Sequence, residues 1–129
     1  MRATPTRLLL VSVLAVAGCA TVPVERAAQP LPAGGQGITI EMSGFTFRPD
    51  LVTLQAGLPI AITTVSRSRI PHNITVLSPE GQVLKSVDVP AEQTAAFDLT
   101  LPRPGRYVFY CATFLHRRPF GMEGALVAK

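Results

Sequence analysis

The sequence has no tryptophan, only two cysteines and two histidines, and few charged side chains. Charged residues make up 16% of the 129 positions and form no long run of one sign. This excludes a disordered charged tail and offers no basic surface for a nucleic acid. The longest apolar run, residues 8–17, is shorter than the roughly 20 residues that a membrane-spanning helix needs. A chain of this length is expected to form one ordinary domain.

Residues 1–18 have the order of a secretory signal, with two arginines first, then the apolar run, then small residues. The tetrapeptide Val16-Ala17-Gly18-Cys19 resembles a bacterial lipobox. This resemblance implies that Cys19 becomes the mature N-terminus and carries a lipid anchor. The protein would then lie outside the cytoplasm, anchored to a bacterial membrane in the periplasm or on the outer face of the cell membrane. The alternative is a plain secretory signal with an incidental cysteine.

Two further segments follow the predicted signal. Residues 19–37 are rich in alanine, proline, glycine and glutamine and have no hydrophobic period, which predicts a flexible tether. From residue 38 to residue 129, short alternating apolar segments are separated by turns that contain proline and glycine. This pattern predicts an all-β domain, a Greek-key sandwich or barrel of about seven to eight strands. Residues 91–97 are the one short segment that could form a helical turn.

Four scarce residues of the domain suggest a metal site. Cys111 ends a predicted strand, and His116 and Met122 lie in the irregular segment before the last strand. His72 begins another predicted strand, and side chains at strand ends and in one loop can converge. A thiolate and two imidazoles in a trigonal plane, with a long thioether contact, form a blue-copper site. The thiolate forms when Cys111 binds the metal.

These residues and their surroundings resemble the cupredoxins, the plastocyanin, azurin and auracyanin group. The resemblance covers about residues 38–129. It implies one mononuclear copper ion held by His72, Cys111, His116 and Met122, single-electron transfer, and hydrogen bonds from Asn73 that link the two ligand loops. The matching segments are Pro71-His72-Asn73, Pro104-Gly105-Arg106-Tyr107, Tyr110-Cys111, His116 and Gly121-Met122-Glu123-Gly124.

One spacing departs from the family pattern. Four residues separate Cys111 from His116, as in the longer azurin-like loop, but five separate His116 from Met122, where family members commonly have three or four. The extra residue either bulges outward or weakens the axial contact of Met122. A site with two histidines and one cysteine alone would still bind copper, at a different reduction potential.

The segments around the predicted ligands suggest a docking surface. Four arginines lie in these segments, and electron partners of this family usually dock near the exposed histidine edge. We therefore expect an acidic surface on the redox partner, and an association rate that falls as the salt concentration rises. The alternative is that the arginines only promote solubility. The predicted docking residues are Arg67, Arg69, Arg117 and Arg118, with Phe114, Leu115 and Phe120 as an apolar patch.

Other functions remain open on the sequence alone. A periplasmic copper-binding protein that delivers the ion, and a cupredoxin-like domain without copper in a structural or assembly role, are the alternatives to an electron carrier. Zinc also suits cysteine and histidine ligands. A binuclear copper centre is disfavoured because Cys111 has no second cysteine nearby. No catalytic acid–base pair stands out, so we expect no enzyme activity, and we expect a monomer.

Overall fold

The computed structural model describes residues 35–129. The predicted signal, Cys19 and most of the predicted tether lie outside this range. Within the described residues the chain forms strands and turns, and no helix there is long and apolar enough to cross a membrane. The first strand begins at Gln36, two residues before the expected start of the domain.

Nine strands form the described domain, one or two more than expected. Their bounds are β1 Gln36–Ser43, β2 Thr46–Arg48, β3 Leu51–Leu54, β4 Pro59–Ser66, β5 His72–Leu77, β6 Val83–Val89, β7 Thr94–Thr100, β8 Gly105–Tyr110 and β9 Glu123–Ala128. The additional strands are short segments such as β2, which has three residues and pairs only with the end of β1.

The strands form two mixed sheets, which confirms the all-β sandwich. One sheet has the order β2-β1-β4-β7 and the other β3-β9-β8-β5-β6. Most pairs are antiparallel, but β1 pairs with β4, and β3 with β9, in parallel. Parallel partners need a crossover connection, so the chain passes repeatedly between the sheets.

The core lies between the two sheets and consists of the inward-facing side chain of every second residue. Tyr107, Phe109 and Cys111 share one buried face of β8 and its extension, as the alternation predicts. The Tyr107 hydroxyl donates to the carbonyl of Arg103 at 2.8 Å, so this buried phenol has a partner. Strand β8 ends at Tyr110, opposite Glu123 of β9.

The helical turn suggested for residues 91–97 is wrong for most of that segment. A turn precedes Thr94, but β7 then begins and pairs antiparallel with β4 from Thr94 opposite Val65 to Thr100 opposite Pro59. Leu99 is buried in the core and Phe97 packs against it. Pairing with a central strand outweighs the weak helix preference of a seven-residue window.

The two segments that hold the predicted ligands meet at one end of the second sheet. His72 is the first residue of β5, and Cys111 directly follows β8. Strands β5 and β8 are neighbours and run antiparallel, so the start of one lies beside the end of the other. This arrangement joins residues that are 39 positions apart in the sequence.

Candidate metal centre

Three buried side chains bring their donor atoms together at this end of the sandwich. Nδ1 of His72 and Nδ1 of His116 lie 3.2 Å apart. The Sγ atom of Cys111 lies 3.9 Å from Nδ1 of His72 and 3.3 Å from Nδ1 of His116. Each of the three side chains is buried. The structure therefore brings together three of the four residues that the sequence predicts as ligands.

The protonation state of the two imidazoles suits metal binding. Burial lowers the pKa of His72 below its ordinary value of 6.5, and the neighbouring His116 lowers it further. Burial also lowers the pKa of His116. Neutral imidazole is the form that binds a metal, so near neutral pH no proton has to be displaced from either ring.

The spacing of the donor atoms fits one metal ion. An ion bound by two imidazoles and a thiolate at about 2.0–2.3 Å in one plane spaces its donors about 3.5–3.8 Å apart. The observed separations of 3.2, 3.3 and 3.9 Å lie around these values. Among residues 35–129, no other group of histidine, cysteine and acidic side chains has a comparable arrangement. A thiolate with two imidazoles is a soft donor set that suits copper or zinc.

Asn73 links the two ligand segments, but through its backbone. Its N–H donates to Sγ of Cys111, with the nitrogen 3.3 Å from the sulfur. Strand β5 pairs with β8 at Thr75 and Val76, so Asn73 lies beyond this pairing and its N–H uses the sulfur as acceptor. The side chain of Asn73 bonds instead to residues of β5 and β6.

Met122 is fully buried, and its backbone joins two of the predicted ligands. The Cys111 N–H donates to the Met122 carbonyl at 3.1 Å, and the Met122 N–H donates to the His116 carbonyl at 3.0 Å. Met122 therefore lies close to the triad of His72, Cys111 and His116.

The long spacing before Met122 is accommodated by a turn that projects into solvent. Gly121 N–H donates to the Arg117 carbonyl at 2.8 Å, and Gly121 has a φ of +72°, which glycine adopts without strain. Residues 118–121 are exposed. Because the bond between Met122 and His116 joins the two ends of the turn, the additional length bulges outward and Met122 stays in the core.

Phe45 contacts the site although the sequence did not single it out. Its ring packs edge-to-face against the His116 ring, with centroids 5.0 Å apart, and stacks on Phe120 at 4.2 Å. Phe45 lies in the turn between β1 and β2. No motif marks this turn as part of the site, because the contact depends on how the first sheet packs on the second.

The predicted apolar docking residues are all exposed in the loop that holds His116. Phe114 is 86% exposed, Leu115 47% and Phe120 51%. Ile70, which was not predicted, is 40% exposed and lies two residues before His72. Apolar side chains thus occupy the solvent side of both ligand-bearing loops, and we call these four residues the apolar patch.

The four predicted docking arginines differ in their partners. Arg67 pairs with Glu41 at 3.1 Å. Arg117 pairs with Glu123 at 3.2 Å, and its guanidinium lies 4.0 Å from the centre of the Tyr110 ring. Arg69 and Arg118 are exposed and form no ion pair within the described residues. The four arginines therefore do not form one uncompensated positive surface.

Known proteins resemble this chain over most of its length. The plastocyanin of Dryopteris crassirhizoma is 30% identical over 100 residues, which cover 69% of this chain and 93% of that protein. Residues 8–128 match the family model described as a cupredoxin-like domain. The chain belongs to the cupredoxin-like family.

Solved cupredoxin structures share the fold. Auracyanin A of Chloroflexus aurantiacus, described as a blue copper protein, aligns with a TM-score of 0.63 and 21% identity over 74% of this chain and 100% of that chain. The reduced auracyanin of Roseiflexus castenholzii gives a TM-score of 0.62 and 19% identity over 72% and 96%. A reduced amicyanin variant gives 0.54 and 25% identity over 84% and 97%.

The cofactor follows from the family and the donor set together. In this cupredoxin, a cluster of two imidazoles and one thiolate with a methionine close by is typical of a type 1 site for one copper ion.

Proposed function

We propose that this cupredoxin transfers single electrons between redox partner proteins outside the cytoplasm, and that it is not itself an enzyme. The observation that carries the proposal is the buried triad of His72, Cys111 and His116, whose donor atoms face one another within 3.9 Å. A buried triad whose donor atoms already face one another suits a metal that changes its charge and stays bound.

Each ligand has a separate role. Nδ1 of His72, Nδ1 of His116 and Sγ of Cys111 would hold the ion, and the Met122 thioether would be a fourth, weaker ligand. Bound copper supplies a couple between Cu(II) and Cu(I). The protein holds its ligands through strand ends and backbone hydrogen bonds, so they need to move little when the charge of the site changes.

Electrons would enter and leave beside His116. The ring of this residue is buried but lies in the loop whose exposed surface is the apolar patch. An apolar surface of this kind supports docking of a partner at short distance from the metal. Arg69 and Arg118, which form no ion pair among the described residues, would add attraction for an acidic partner surface.

The proposed location rests on the sequence. Cys19 would carry the lipid, and residues 20–37 would let the copper end reach a membrane partner. Growth with a radioactive fatty acid should label the unmodified protein and leave a Cys19→Ser variant unlabelled. Absence of label on the unmodified protein would contradict the anchor.

Copper retention through a redox cycle tests the electron-transfer function. The purified protein is loaded with Cu(II), reduced, passed through a desalting column that contains a Cu(I) chelator, and reoxidised. An electron carrier keeps its copper and recovers its visible spectrum. Loss of the copper to the chelator on reduction would contradict the proposal and favour copper delivery.

A further inference from the structure

A closed group of polar side chains lies on the outer face of β5 and β6, behind the metal centre. Asn73 Nδ2 lies 3.2 Å from Ser86 Oγ and 2.8 Å from Asp88 Oδ1. Thr75 Oγ1 lies 2.6 Å from Asn73 Oδ1 and 2.8 Å from Ser86 Oγ. We call Thr75, Ser86 and Asp88 the Asn73 clamp. Asn73 is 7% exposed and Thr75 2% exposed, although both side chains are polar.

Strand pairing places these side chains together. Asn73 lies opposite Asp88, and Thr75 lies opposite Ser86, in the antiparallel pair of β5 with β6. Residues two apart on a strand share a face, so all four side chains point the same way. His72 and Ile74 point to the other face, which is the core.

The number of donor protons on Asn73, Thr75 and Ser86 fixes the direction of each hydrogen bond. A carboxylate of Asp88 accepts, so the amide atom of Asn73 that faces it is the nitrogen. Thr75 donates its single hydroxyl proton to Asn73 Oδ1, so Ser86 must donate to Thr75. Ser86 in turn accepts from Asn73, which closes a ring of three hydrogen bonds. Both protons and the oxygen of the Asn73 amide are therefore used.

The backbone of Asn73 is held on one side only by strand pairing. Asn73 lies opposite Asp88 of β6, but it lies past the residues that pair with β8, and there the Cys111 sulfur accepts its N–H. An N–H···S bond weakens quickly when the donor turns away from the acceptor. Fixing the side chain of this residue fixes the direction of its amide.

We propose that the Asn73 clamp is a positioning device for the metal centre, in which Asp88 and Ser86 hold Asn73 so that its backbone N–H donates to the Cys111 sulfur and raises the reduction potential. This inference rests on the proposed function. The N–H donor stabilises negative charge on the sulfur, and the site holds one more electron in the Cu(I) state. Loss of the bond therefore destabilises Cu(I) and lowers the reduction potential.

The direction of the change in reduction potential distinguishes loss of the Asn73 clamp from loss of the negative charge of Asp88. Removing a negative charge near the site disfavours Cu(II) and raises the reduction potential, which is the opposite direction. Asp88→Asn and Asp88→Ala remove the same charge, but the asparagine oxygen still accepts from Asn73 Nδ2 and alanine cannot. The difference between the two variants therefore reports the clamp.

The first test measures reduction potentials of the copper-loaded protein. Asp88→Ala is expected to have a lower reduction potential than Asp88→Asn. At a fixed applied potential the ratio of oxidised to reduced protein should differ at least threefold between the two variants, which corresponds to a difference in reduction potential of about 28 mV. The reduction potential of Ser86→Ala, which changes no charge, is expected to be lower than that of the unmodified protein. Asp98→Ala, on β7 of the other sheet, is the control for loss of an exposed acid. Equal potentials for Asp88→Ala and Asp88→Asn would overturn the proposal.

The second test needs no copper and so separates this inference from the proposed function. Amide hydrogen exchange of Asn73 is measured in the metal-free protein. Loss of about 1 kcal/mol of hydrogen bonding should speed this exchange about fivefold in Asp88→Ala and Ser86→Ala, and leave it unchanged in Asp88→Asn. An unchanged Asn73 exchange rate in both variants that lose the clamp would contradict the proposal, even if the protein binds copper as expected.

Discussion

Met122 shows at the residue scale how position in the fold can compensate for an unusual spacing. Five residues separate it from His116, yet two backbone hydrogen bonds keep it between Cys111 and His116. The sequence could not choose between an outward bulge and a lost contact, because that choice depends on the Gly121 turn. The structure shows the bulge, and the axial role of the Met122 sulfur is a prediction.

Replacement of Met122 by leucine should raise the reduction potential. Loss of this donor would leave the ion with three ligands, a coordination number that Cu(I) tolerates better than Cu(II), and each tenfold loss of affinity for Cu(II) relative to Cu(I) raises the potential by about 59 mV. Leucine has a similar volume, so stability should change by less than about 1.5 kcal/mol. Met42→Leu is a matched control, because Met42 is also fully buried but lies on β1. Equal potentials for Met122→Leu, Met42→Leu and the unmodified protein would show that the Met122 sulfur makes no axial contact.

Leu115 is a second residue whose backbone bears on the site. It directly precedes His116 and has a φ of +65°, a left-handed conformation that costs a residue with a Cβ about 1–2 kcal/mol. In a helix or strand, glycine normally makes the protein about 0.5–1 kcal/mol less stable than alanine does. Here the order should reverse, so Leu115→Gly should be about 0.5–1 kcal/mol more stable than Leu115→Ala in chemical denaturation. The usual order would contradict the strain.

At the scale of secondary-structure elements, strand ends determine where the ligands lie. The alternation of apolar residues predicted that β5 begins at His72 and that Tyr107, Phe109 and Cys111 share a face, and the structure confirms both. Other features could not be predicted from one segment at a time. The contact of Phe45 with His116 requires the packing of two sheets, and the Asn73 clamp requires the register of β5 against β6.

Gly124 tests how tightly β9 packs against β8. A Cβ at this position would overlap the Phe109 ring and the Asp50 carbonyl. Because the carbonyl is backbone, the overlap cannot be relieved by a change of rotamer. Gly124→Ala should lower the free energy of unfolding by about 1–3 kcal/mol and weaken copper binding, since β9 begins directly after Met122. Thr39→Ala, at an exposed position of β1, is the control, and equal stability of the two variants would contradict this packing.

At the scale of the whole molecule, the surface around the metal end combines apolar side chains with partly compensated charge. The sequence placed four arginines in the loops of this end, but it could not show that Glu41 and Glu123 pair with two of them. Glu41 is distant from Arg67 in the sequence and meets it only because β1 and β4 are neighbours. Docking by charge should therefore depend chiefly on the other two arginines.

Two double variants separate these contributions. Arg69→Gln with Arg118→Gln should reduce the salt dependence of the electron-transfer rate with an acidic partner more than Arg67→Gln with Arg117→Gln. The charge removed is the same in both, so the comparison isolates the effect of the ion pairs. The rates are measured over a range of salt concentrations. An equal or reversed effect would argue against a docking role for Arg69 and Arg118.

The visible spectrum of the purified protein after addition of Cu(II) tests the central claim most directly. Bonding of the Cys111 thiolate to copper in a trigonal site with two imidazoles produces the intense charge-transfer band of blue copper proteins. We predict this band for the unmodified protein at one copper per chain, and its loss in Cys111→Ser. Absence of the band in unmodified protein that has bound copper, or its persistence in Cys111→Ser, would contradict the assignment of a type 1 copper site.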